Sequence, residues 1–112
     1  MTPFFRLCAV LIALAIVYLS LQPPGGAQTV PHIDKLKHFV AYAALSGAVG
    51  LGWARLPLWA VVAMAALFGV GMEVAQGLGG LGRVASVADA LANLAGATTA
   101  AFIVRRLRRL WA

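Results

Sequence analysis

Four apolar blocks, each close to the length of a bilayer crossing, leave this chain little choice of fold. They run over about residues 4–21, 34–53, 57–77 and 86–104. Roughly 20 apolar residues rising 1.5 Å each span about 30 Å of hydrocarbon. Of the 112 residues, 62% are hydrophobic and 11% charged. Soluble domains average about 45–50% apolar and about 25% charged, so a soluble core of this size could not hide the excess. The expectation is one all-α domain over 1–112, an integral membrane bundle of four transmembrane helices. The breaks support it. "QPPGGAQ" stops the first segment, Pro57 suits the opening turn of the third, and Ser86 with Asp89 forms a capping-box-like start to the fourth.

Lysine and arginine set the expected orientation. With both termini in the cytoplasm, Arg6, Arg55, Arg105, Arg106, Arg108 and Arg109 fall inside, against Lys35, Lys37 and Arg83 outside. The positive-inside rule favours that arrangement, in a multi-pass protein of the cell's inner, cytoplasmic membrane. The tail "VRRLRRLWA" then faces anionic lipid headgroups. The first segment also has the layout of a secretory signal, with Arg6 ahead of an apolar core and Gly25 and Ala27 near a cleavage position; a retained helix is the expected reading. A net charge of +6 would suggest nucleic acid in a soluble protein, but no basic-aromatic platform accompanies it, and no nucleic-acid partner is expected. Cys8 stands alone, which excludes an internal disulfide and a CxxC motif. Trp53, Trp59 and Trp111 sit where interface anchors belong.

The ionisable residues are not spread evenly. Asp34, His38 and Tyr42 lie three or four apart and share one face of the second segment. Glu73 and Gln76 are one turn apart near the end of the third. Asp89 and Asn93 repeat that spacing at the start of the fourth, and Arg83 lies in the loop "GLGGLGR" between them. All therefore fall at the outer ends of segments two to four. A charge near mid-membrane costs roughly 2.5–3.5 kcal/mol even on the lenient scale, so such groups face the bundle and find partners. Two readings follow: a network that pins three helices together, or a ligand site. His32, after Pro31 in a loop, and Lys37, off the polar line, are expected to be solvated or to reach headgroups.

Other chemistries fit poorly. The glycine loop lacks the ending of a nucleotide-binding loop, and the serines lack a nucleophile-elbow context. His38 with Asp34, Glu73 and Asp89 supplies one imidazole and three carboxylates, but no short His-x-x-x-His spacing marks a metal centre, and none is assigned. Ala88, Ala92, Gly96 and Ala100 recur every fourth position, as do Ala65, Gly69 and Gly77 around Glu73. Rows like these let helix backbones approach.

"DKLKHFVAYAAL", "GMEVAQ" and "GRVASVADALANLAG" together resemble the VanZ-like membrane protein family. The family's core runs Asp-Lys-x-x-His-Phe-x-x-Tyr, then Glu-x-x-Gln, then Arg, Asp and Asn-x-x-Gly, and the resemblance covers about residues 34–96. It implies a site drawn from Asp34, Lys35, His38, Phe39, Tyr42, Glu73, Gln76, Arg83, Asp89, Asn93 and Gly96. It also implies an envelope function, in a family associated with resistance to the glycopeptide teicoplanin. The short glycine-rich loop carries no added domain, so a general envelope role is the transfer to expect. The expected partners are membrane lipids and an anionic, lipid-linked envelope component, its phosphate held by Lys35, Lys37 and Arg83. His38 and Glu73 are the acid-base candidates; Asp34, Lys35, Tyr42, Gln76, Arg83, Asp89 and Asn93 are the ligand-binding ones. The residues name no cofactor, and whether any bond is made or broken stays open.

Overall fold

A computed structural model describes residues 2–22, 31–79 and 87–111, with the side chains of 31–34 and 111 excepted. The chain forms four helices in order: α1 (Thr2–Ser20), α2 (Pro31–Gly52), α3 (Leu58–Leu78) and α4 (Val87–Trp111). Among the described residues there is no strand. The bundle measures 47 × 23 × 22 Å, and a bilayer with its headgroups is about 40–45 Å thick.

Three helices, α1, α3 and α4, are long and apolar enough to cross a membrane. They leave Leu11, Leu14, Leu67, Phe102 and Ile103 exposed, an apolar surface of the kind lipid covers. The second segment reaches the expected length, but α2 is not among the three, because Lys35, Lys37 and His38 dilute its first half. It packs against every other helix, most extensively against α4, while Lys37 in its polar half stays exposed.

The α2–α4 seam explains the spacing of small residues. The two helices run parallel, with Ser46 donating to the Ala97 carbonyl at 2.9 Å. A methyl group on Gly96 would lie 2.1 Å from the Phe39 carbonyl oxygen, and one on Gly50 would lie 2.9 Å from Val104. Only glycine permits so close an approach of backbones. The row Gly96, Ala100, Val104 continues at the same spacing to Arg108, because α4 stays helical through its basic end.

Two expectations need correction. The fourth helix does not end near residue 104 with a trailing tail; it continues to Trp111. His32 is not in a loop but in the first turn of α2, since Pro31 fits an opening turn. Ser86, expected as the N-cap of α4, lies outside the described residues.

The end of α2 shows why the arginines matter. A helix leaves its last carbonyls unpaired, and in an apolar bundle they need donors. Arg108 supplies them: its guanidinium donates to the carbonyls of Gly50 (2.7 and 3.2 Å), Trp53 (3.3 Å) and Leu56 (2.8 Å). Arg6, from the first turns of α1, donates to the Gly52 carbonyl at 2.8 Å and lies 5.3 Å from the centre of the Trp53 ring. Two cations at a helix C-terminus also complement its dipole. Arg55, Arg105, Arg106 and Arg109 stay exposed, available to headgroups.

Candidate functional site

The opposite end of the bundle holds a compact polar cluster. Antiparallel α3 and α4 bring Glu73, near the end of α3, beside Asp89 in the first turn of α4. The parallel α2–α4 seam sets His38 against the same turn. His38 Nδ1 lies 3.0 Å from Asn93 Oδ1, and His38 Nε2 lies 3.4 Å from Asp89 Oδ2. Lys35 Nζ pairs with the other oxygen of Asp89. One ligand atom each from His38, Glu73 and Asp89 fall within 4.8 Å of one another.

Burial makes this arrangement consequential. Glu73 is 6% exposed and Asn93 2%, and the Asp89 side chain 13%. Lys35, at 40%, is the member that reaches outward. In low dielectric an unpartnered carboxylate is costly, and among the described residues no buried side-chain nitrogen or oxygen is left without a hydrogen bond.

Backbone shape creates the space. A methyl group on Gly69 would meet Asn93 Nδ2 at 2.9 Å and Tyr42 Cε2 at 3.2 Å. Glycine in α3 thus admits two side chains from facing helices. Tyr42, 2% exposed, lies beneath the cluster with its ring centre 6.1 Å from that of Phe68.

Of the expected residues, His38, Glu73, Asp89, Asn93 and Lys35 are brought together, with Tyr42 as the floor. Gln76 turns away: it is buried and donates to the Ser20 carbonyl at 2.9 Å, tying α3 to the end of α1. Arg83 lies outside the described residues, as does the side chain of Asp34. The arginine clamp at the other end was not anticipated from sequence, although Arg108's place on the small-residue row was a usable signal.

The bundle also has an apolar cavity of about 370 Å³. It lies between α1, α2 and α3, lined by Ala9, Ala13, Leu45, Val49, Val61 and Phe68 among others. Its surroundings suit hydrocarbon, so the polar cluster, not this cavity, is where chemistry is available.

Fold and site together define a small helical membrane protein with an imidazole and two carboxylates gathered at one end of its bundle. Comparison with known proteins adds no relative: no family model matches, no curated protein matches, and no solved structure matches.

Proposed function

We propose that the chain is a VanZ-like membrane protein that binds, and so processes or shields, an anionic lipid-linked component of the cell envelope at this cluster. The observation that carries the reading is the convergence of His38, Glu73, Asp89 and Asn93 from three helices in the order the family pattern gives. In this reading both termini are cytoplasmic, the arginine end lies at the inner face, and the cluster opens toward the outer one. The excess of arginine at the former end supports that orientation. Lys35, reaching outward, offers charge to a phosphate, and His38 and Glu73 are the groups able to exchange a proton. Resistance to a glycopeptide such as teicoplanin is the phenotype this function would produce.

A second reading has its own support. His38 meets Asn93 and Asp89, and Lys35 meets Asp89, contacts between cluster members of the kind a structural network makes. The experiment that separates the two measures detergent-resistant folding and teicoplanin sensitivity across His38→Ala, Glu73→Gln and Asp89→Asn. A ligand site predicts variants that stay folded and lose the phenotype. Loss of folding in step with phenotype across all three would leave only the structural role.

A further inference from the structure

We propose that His38, Glu73 and Asp89 bind one divalent metal ion of the zinc or manganese class. This deepens the reading of the cluster as a ligand site and rests on the same residues, but not on the envelope role.

The geometry of His38 is the starting point. Its Nδ1 lies 3.0 Å from Asn93 Oδ1, and an amide oxygen accepts only, so Nδ1 carries a hydrogen. The other ring nitrogen, Nε2, lies 3.4 Å from Asp89 Oδ2. The separation is longer than the usual span of an N–H···O bond, about 2.7–3.2 Å. It matches two ligands on one zinc ion: atoms about 2.0–2.1 Å from the metal at a tetrahedral angle are about 3.4 Å apart.

The surrounding groups complete the pattern. Glu73 brings a third ligand atom within 4.8 Å of the other two, and one ligand comes from each of three helices. Asn93 fixes the tautomer and ring orientation of His38, as the outer partner of a metal-bound histidine does. Lys35 engages Asp89 through Oδ1, and Oδ2 is the oxygen that faces His38 Nε2. The two carboxylates supply the negative charge that attracts a dication. One nitrogen and two oxygens, with waters filling the remaining positions, suit zinc or manganese better than magnesium, which prefers an all-oxygen shell.

The test uses the full chain purified in detergent, titrated with Zn²⁺ and with Mn²⁺ by calorimetry, with Mn²⁺ spin resonance as a second readout. The expected result is one saturable site per chain, weakened at least tenfold in His38→Gln and in Glu73→Gln, and roughly tenfold in Asn93→Ala. It should be unchanged in His32→Gln and not displaced by excess Mg²⁺. Metal should also raise the melting temperature of the unaltered protein, a measurement that needs no variant to fold. Absence of a saturable site, binding indifferent to His38 and Glu73, or equal competition by Mg²⁺ would overturn the proposal. Failure here while the same variants still abolish the glycopeptide phenotype leaves the envelope role standing. Metal binding with no phenotype removes the envelope role and leaves the metal site.

Discussion

The two ends of the bundle meet the same difficulty with different chemistry. At the arginine end, Arg108 and Arg6 direct their charge at backbone carbonyls of Gly50, Gly52, Trp53 and Leu56. At the other end, His38, Lys35, Asp89 and Asn93 meet one another, side chain to side chain, with Glu73 alongside. The first arrangement finishes a helix. Its partners are backbone carbonyls, which do not titrate and are already taken up by the guanidinium donors. The second gathers an imidazole and two carboxylates, groups that move protons and hold cations. Polarity inside a membrane bundle therefore does not mark a site; the kind of partner does.

Substitutions sharpen this contrast. The largest expected effect belongs to neither end but to the seam that joins them. Gly96→Ala puts a methyl group 2.1 Å from the Phe39 carbonyl oxygen, where backbone must move, and should cost about 3 kcal/mol. Unfolding in mixed detergent would measure it, and a wild-type midpoint would mean that α2 and α4 do not approach this closely. Arg108→Ala comes next. It strips donors from three carbonyls and should cost about 2 kcal/mol, with any function falling only as far as folding falls. Arg108→Lys should recover part, since a lysine reaches fewer carbonyls at once.

At the polar end the order of effects reverses. Glu73→Gln keeps size while exchanging one acceptor oxygen for an amide donor, so it should shift stability by about 1 kcal/mol while weakening Zn²⁺ binding and, if the proposed envelope role holds, abolishing the glycopeptide phenotype. If Glu73→Gln behaved like Arg108→Ala, with stability and phenotype lost together, the distinction between the ends would break. The smallest effect is expected at Lys35→Gln. A lysine 40% exposed contributes well under about 1 kcal/mol through its ion pair, so a midpoint near wild type is the outcome to look for in the same unfolding assay.

Much of this was legible in the residues. The lengths of the apolar blocks, the stop at "QPPGGAQ" and the break at Pro57 placed the four helices, the C-terminal end of α4 excepted, because in lipid a helix is the way a single segment satisfies its own backbone. The polar line of α2 and the matching turns of α3 and α4 were visible as spacings of three and four. Gln76 illustrates the limit. Its spacing to Glu73 places it on the same face, yet its amide serves Ser20, because a shared face does not say which neighbouring helix it meets. Arg108 illustrates the same limit from the other side. Four arginines sit within five residues of the tail, and only the one on the α2-facing row turns inward.

The sequence by itself determined the elements: an all-helical chain with spans long and apolar enough for a membrane, small residues at every fourth position, and all three of its carboxylates beside the same pair of interhelical loops. Those are properties of composition and period, which local physics fixes. The tertiary structure alone decided who meets whom: that α2 and α4 run side by side in parallel, that His38 faces Asp89 across that seam with Asn93 behind it, and that two arginines close the far end of α2. Pairing across helices depends on rotation about each helix axis and on backbone distances set by Gly69 and Gly96, and no spacing within one helix carries that information.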